Sequence, residues 1–329
     1  MHIINARNVA EALPLGMAYL REYGRRETSR AGDVLVAPGP VCTVYSHPTE
    51  RVLFSAARDA NPFFHLAEAL WMLAGRNDAA FLNQFVTTFG PRFAEPDGTL
   101  HGAYGYRWRK TFGFDQLHKV VWKLKENPRD RQAVIQMWDG RETADAYDSG
   151  TVYVDTDDLL GEWKDRPCNT HIYLRVRDQV LDITVCCRSN DMLWGAYGAN
   201  AVHFSVLQEY LAARIGVGVG TYYQFSNNFH GYVAELDKHE ADMTDLRPSL
   251  RPMPLVDDPV MFDSELNTLL AGKSLGGVLN RFFVHTAYTM MQAHATWRAK
   301  GDPTRWLDAI GADDWRAAAT EWIARRRKA

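Results

Sequence analysis

Apolar and polar residues alternate with period two in two neighbouring stretches, THIYLRV (170–176) and VLDITVCC (180–187). That period belongs to a half-buried strand, and the intervening Arg177-Asp178-Gln179 predicts a hairpin turn. AVIQMW (133–138) and TYYQFSNNFHGY (221–232) read as further strands. Helical spacing appears elsewhere. In NPFFHLAEALWMLAG, Asn61 and Pro62 suit a cap and first turn, and Gly75 suits a stop. Its apolar stripe is Phe64, Trp71 and Met72, and Glu68 falls on that stripe, four residues after Phe64. A carboxylate facing inward is costly unless it is paired or used. Asp115 to Glu126 predicts a second amphipathic helix, stopped by Asn127-Pro128. Val202, Val206, Leu207, Tyr210 and Leu211 line a third, with Gly216 as its C-cap. Residues 258–329 carry mostly helical patterns. GVGVG (216–220) reads as a turn, since no Lys-Ser/Thr follows. Residues 139–167 read as a long polar excursion. Asp155, Asp157 and Asp158 in it lack the glycine and terminal glutamate of a calcium loop and are expected to be solvated.

Composition narrows the class. Of 329 residues, 46% are hydrophobic and 23% charged, as in ordinary globular proteins. Without repeats or a linker, the expectation is one domain over 1–329, its C-terminal part (258–329) helical. A net charge of −3 gives no basis for sequence-independent nucleic-acid binding. The terminal RRRKA reads as a solvated tail. The N-terminus is a poor signal peptide and no apolar run spans a bilayer. Four cysteines are not a disulfide framework. The expected location is cytoplasmic, with reduced thiols.

Polar groups gather where the apolar elements end: Cys168-Asn169, Arg188-Ser189-Asn190-Asp191, Asn200, His230 and Tyr232. Rigid strands with reactive tips make a pocket. Hairpin pairing brings Arg188 near Cys168, and a nearby cation raises a thiol's thiolate fraction, so Cys168 is a candidate nucleophile. A cysteine hydrolase needs a histidine base. His171 is expected to be buried in its strand, and His203 lies in a helix, so neither is obviously placed. A cysteine activated by arginine suits conjugate addition to an electron-poor ring. There is no CxxC, HExxH or HxH, so no metal is expected, and no GxGxxG follows an early strand.

At these residues the chain resembles the thymidylate synthase family, which includes the pyrimidine-nucleotide hydroxymethylases. The matching motifs run in the family's order from Arg30 to Tyr232: SRAG, HLAEALWMLAG, GAYGYRW, DRQAVIQMW, PCN, RSND, Asn200 and FHGY. The resemblance implies an α+β fold in which helices pack a large mixed twisted β-sheet and one sheet face forms a homodimer interface. It implies a pyrimidine nucleoside monophosphate and 5,10-methylenetetrahydrofolate as substrates, with Cys168 adding to C6 of the base. Arg30, Arg188 and Ser189 would grip the 5′-phosphate, and Arg131 would reach the partner's phosphate. His230 and Tyr232 would bond the ribose, and Asn200 would read the base. Asp191, with Trp71 and Trp194, would hold the folate. Glu68 would shuttle protons through ordered water, and Tyr104 would assist loss of the C5 proton.

Departures from the synthases imply which branch. Asn169 stands where they have histidine, and RSND resembles the deoxycytidylate hydroxymethylase of T-even phages. Phe89 and Phe93 stand about where tryptophans keep water off the reacting carbon. RRRKA lacks an apolar closing end. Each favours water over hydride as the last nucleophile, hence a hydroxymethyl product, with thymidylate synthase as the alternative. An asparagine amide suits uracil, which favours dUMP. WGAYGAN is one residue longer than the family spacing, so Ala199 competes with Asn200 for the reading position, and dCMP and CMP stay open. Gln132 replaces an arginine common in the family. Two other readings are weaker. A DNA cytosine-5 methyltransferase would need a Gly-rich S-adenosylmethionine site, and a catalytically dead binding module would not need the full residue set.

Overall fold

The computed structural model describes the chain except Arg30, residues 141–157, Leu160, residues 240–249, Ser274 and residues 328–329. Eight strands form one mixed sheet: β1 (His2–Ala6), β2 (Arg25–Ser29), β3 (Gly32–Val36), β4 (Val41–Tyr45), β5 (Val134–Gln136), β6 (Asn169–Arg177), β7 (Val180–Asp191) and β8 (Gly218–Tyr232). The main order is β1-β4-β8-β7-β6-β5, with the β2–β3 hairpin joined through β3 to the end of β8. β1–β4 and β7–β8 are parallel, and the other pairs are antiparallel. The helices are α1 (Val9–Tyr23), α2 (Pro62–Leu73), α3 (Ala79–Leu82), α4 (Phe89–Phe93), α5 (Tyr104–Tyr106), α6 (Gln116–Glu126), α7 (Asn200–Ile215), α8 (Val233–Lys238), α9 (Phe262–Leu270), α10 (Tyr288–Arg298), α11 (Thr304–Asp308) and α12 (Asp313–Arg327). Among the described residues no helix is long and apolar enough to cross a membrane.

The two sheet faces differ. On one, Val41, Ile135, Ile172, Ile183, Val185 and Tyr222 are buried within the hydrophobic core that the helices complete. Burying each such side chain contributes about 1.5–3 kcal/mol. α7 is buried nearly all round, and α2 packs on it. On the other face two ladders cross six strands in register. One runs Ile3–Cys42–Phe225–Cys186–His171–Gln136 and the other Asn5–Val44–Tyr223–Thr184–Tyr173–Val134. Ile3, Tyr173 and Val134 are 52%, 47% and 40% exposed. His171 belongs to this face and is half-buried, not enclosed as the alternation suggested.

Local chemistry explains the elements that position the site. Asn61 caps α2 by accepting from Phe63 and Phe64 N–H, and Pro62 fits the first turn. The β6–β7 turn places Asp178 and Gln179 at φ 48° and 62°, the left-handed pair that a tight hairpin twist requires. α5 crosses α2 so closely that a Cβ on Gly105 would lie 1.7 Å from Met72 O.

Three expectations need correction. The basic chain end is not a free tail: in α12, Arg325 Nε and Arg326 Nη1 each donate to Asp59 Oδ1 at 3.0 Å. Asp158 is not solvated. Its side chain is fully buried against Arg107; Asp155 and Asp157 lie outside the described residues, as does most of the 139–167 excursion. GVGVG is a turn only at its start, since Gly216 is left-handed (φ 92°) and β8 begins at Gly218.

Candidate active site at the Cys168 strand start

Cys168 directly precedes β6. Its carbonyl accepts from Arg188 N–H at 2.9 Å. Register then slips between Asn169 and His171, opposite Cys187 and Cys186. A bulge of this kind re-aims the chain next to a site. Asn169 is fully buried, and its Nδ2 donates to Cys186 O (2.8 Å) and His171 O (3.2 Å). Its Oδ1 is buried and unpartnered.

The cation is adjacent but does not dominate. Arg188 is exposed, its Nε donating to Pro167 O at 3.1 Å and its Nη2 to Arg166 O at 3.3 Å. Burial pushes the Cys168 thiol up; Arg188 pulls it down, while Asp165 and Asp191 push it up again. The net direction is upward, opposite to what the cysteine–arginine pairing alone suggested.

β7 continues as a strand through Asp191, because its polar end pairs with β8: Ser189 faces Asn228 and Asp191 faces His230. His230 Nδ1 lies 2.7 Å from Asn228 Oδ1, and its ring meets Tyr232 edge-on at 5.9 Å. Tyr232 in turn pairs with Val34 of β3. Arg30 lies outside the described residues. Asp191 caps the next turn, its Oδ1 accepting from Trp194 N–H at 2.5 Å. Its Oδ2 is buried without a partner, and burial raises its pKa.

Met192–Ala199 forms a wide π-helical turn with a non-helical kink at Gly198. Such a turn takes up one extra residue. It delivers Asn200, not Ala199, as the first residue of α7, with its Nδ2 donating to Asn190 Oδ1 at 3.0 Å. One turn further on, His203 Nε2 lies 2.9 Å from Glu68 Oε2 on α2. The contact is off the hydrogen-bond line, so neither atom has an aligned partner. Tyr104 stacks on Phe204 at 5.6 Å, and burial drives its phenol well above the usual value.

Of the proposed folate contacts, Trp194 is 51% exposed, with Arg58 4.0 Å over its ring. Trp71 is enclosed in the core rather than open to a ligand: it is 2% exposed and donates to Asp78 O, because its position on α2 faces the core. Phe89 packs between Phe64 and Phe93 at 5.3 and 5.0 Å. Arg131 and Gln132 are exposed just before β5. Among the described residues no group of three metal-ligating side chains occurs.

Sequence reading assigned no role to Arg58, Asp165, Asn190 or His203. Arg58 is buried, its Nε on Leu193 O and its pKa pushed down to about 10 by burial. Asp165 is pushed up to about 6 by burial, against a hydrogen bond from Gly102 N–H. His203 was findable, being i+3 from Asn200 on a helix that packs on α2.

The thymidylate synthase family pattern matches residues 49–265. The deoxyuridylate hydroxymethyltransferase of Pseudomonas phage M6 is 44% identical over a 353-residue alignment that covers 100% of this chain and 95% of that protein. The enzyme of the same name from Bacillus phage SP01 is 34% identical, covering 66% of this chain and 56% of its own. Thymidylate synthase of Streptococcus mutans is 31% identical over 53% of this chain and 58% of its own. With that pattern spanning more than half of its length and Cys168, Arg188 and Asp191 all inside it, the chain belongs to the thymidylate synthase family.

Proposed function

We propose that this chain is a deoxyuridylate hydroxymethylase. The observation that carries the reading is its end-to-end similarity to the Pseudomonas phage M6 enzyme of that name. Cys168 Sγ bonds to C6 of the base, and C5 takes the one-carbon unit that methylenetetrahydrofolate supplies as second substrate. C5 loses its proton as the bond between the transferred carbon and the folate nitrogen breaks, so tetrahydrofolate leaves and an exocyclic methylene remains on the nucleotide. Water adds there, and the Cys168–C6 bond breaks to give the 5-hydroxymethyl nucleotide and the free thiol.

The residues suit these steps. The thiol is held protonated by burial in the free protein, so its activation belongs to the nucleotide complex, with Arg188 as the local cation and, with Ser189, as phosphate ligand. Arg30 would complete the phosphate site. His230 and Tyr232 face the sugar. Glu68, lacking an aligned partner, is available to move protons through water at the base, and Tyr104, neutral and half-buried, to assist loss of the C5 proton. The unpartnered Asp191 Oδ2 suits a donating N–H of a pterin, and the half-exposed Trp194 ring, which already carries Arg58, a flat neighbour. The orphan Asn169 Oδ1, where synthases have histidine, suits an ordered water. The open sheet face, with its exposed Ile3, Tyr173 and Val134, supports a two-fold homodimer in which Arg131 reaches the partner's phosphate.

The test is mass spectrometry of nucleotide and folate products after incubation with dUMP and methylenetetrahydrofolate. The expected outcome is 5-hydroxymethyl-dUMP with tetrahydrofolate, abolished in Cys168→Ala. A methylated product with equimolar dihydrofolate would instead make the chain a thymidylate synthase.

A further inference from the structure

Asn200 does not stand alone at the base site. Its Nδ2 donates to Asn190 Oδ1 at 3.0 Å, and Asn190 Nδ2 donates to Ser226 Oγ at 3.0 Å. Asn190, Ser226 and Asn200 are 2%, 2% and 4% exposed, so water does not compete for these bonds. Asn190 Oδ1 also fills a notch over Gly195, where a Cβ would lie 2.6 Å from it. Among the described residues Asn200 Oδ1 receives no donor. We infer that Asn190 is a positioning residue that selects uracil over cytosine by fixing which way the Asn200 amide faces.

The reasoning is one of hydrogen-bond polarity. With one N–H spent on Asn190, Asn200 still offers one N–H and its carbonyl. Uracil presents O4 as acceptor and N3–H as donor, which this pair matches. Cytosine presents an amino donor and a bare N3 acceptor, the reverse, so the amide must turn over. Turning Asn200 alone sets its Oδ1 against Asn190 Oδ1, oxygen on oxygen. Turning both requires Ser226 to reverse its hydroxyl as well. A site built to pair polar groups rejects an analogue that leaves them mismatched.

The inference rests on the proposed dUMP reaction, and binding separates the two. Dissociation constants of dUMP and dCMP, with kcat/KM where turnover occurs, are measured for wild type, Asn190→Ala, Asn190→Asp and Ser226→Ala. Wild type is expected to prefer dUMP by at least about 100-fold. Asn190→Ala should lower that ratio tenfold or more, and Ser226→Ala by less. Aspartate accepts from both Asn200 and Ser226, so Asn190→Asp should restore the ratio, whereas a merely structural role predicts no such rescue. If Asn190→Ala fails to fold, the Ser226→Ala ratio decides. Equal losses for both nucleotides, or a wild type that binds them equally, overturn the inference. Selective binding lost in Asn190→Ala, in a protein that never hydroxymethylates dUMP, would overturn only the proposed reaction.

Discussion

Two polar clusters of this protein are built on opposite terms. Around Arg107 every donor has a partner. Nη1 bonds Asp158 Oδ2 (2.5 Å) and Met137 O (2.8 Å), and Nη2 bonds Asp158 Oδ1 (2.8 Å) and His101 O (3.0 Å). His101 Nε2 also reaches Asp158 at 2.8 Å, and its ring stacks on Trp163 at 3.9 Å. In the candidate site, Glu68 Oε2, His203 Nε2, Asn169 Oδ1 and Asp191 Oδ2 are buried and lack aligned partners. Buried polar atoms without partners cost free energy, and a fold keeps them where a ligand or ordered water completes them. The first cluster is finished by the chain itself; under the proposed function the second is left for substrates and ordered water. One should therefore govern stability and the other turnover.

The largest effect is expected in the finished cluster. Burial pushes the Asp158 carboxyl up, but hydrogen bonds from His101 and Arg107 hold it below the usual carboxylate value. Asp158→Asn leaves Arg107, 2% exposed at its side chain, as a buried cation without its counter-charge. Breaking such a pair costs about 3–5 kcal/mol, to be read from urea or thermal unfolding. The wild-type contribution is present above the unfolded aspartate pKa and lost as pH falls through the lower folded one. The variant should therefore lose its deficit in acid.

In the unfinished cluster, Glu68→Gln keeps shape and removes the carboxylate proposed to carry protons. Turnover and exchange of the C5 hydrogen should fall by about 10²–10⁴-fold, with stability within about 1 kcal/mol of wild type. Should Glu68→Gln instead cost as much stability as Asp158→Asn and spare C5 exchange, the Glu68–His203 contact is an ordinary ion pair and the contrast fails.

The same contrast explains what was legible in the sequence. The β6–β7 hairpin, α2 with its Asn61 cap and α7 with Gly216 follow from local periodicity and turn chemistry, and the structure has them. Cys168, Arg188 and Asp191 stood out as polar residues at the ends of apolar runs. The strand character of Arg188–Asp191 did not, since only pairing with β8 imposes it. Asp158 looked like one acid among several in a polar stretch, because its partner Arg107 is 51 positions away. Arg325 and Arg326 looked like a free tail because Asp59 is more than 260 positions away. Asn190 sat in plain view, but its pairing depends on three elements meeting, since it bonds both Asn200 and Ser226. Long-range pairing of charges and amides leaves no period to read.

The smallest effect tests a group that belongs to neither cluster. Asp165, three residues before Cys168, has its pKa pushed up to about 6 by burial, and once ionised it pushes the Cys168 thiol further up. Asp165→Asn removes that charge, so iodoacetamide should alkylate Cys168 roughly threefold faster at pH 8, the scale of one partly screened unit charge nearby. Below about pH 6 the wild-type carboxyl is itself protonated, so the advantage should fade towards parity. Stability gives a second sign. A carboxyl whose folded pKa is raised costs stability as pH rises from the unfolded value, about 4, through the folded one, about 6. Wild type should weaken across that window relative to Asp165→Asn. An alkylation ratio that stays constant from pH 5 to 8 would mean that Asp165 does not act on the thiol, leaving burial, Arg188 and Asp191 to set its reactivity.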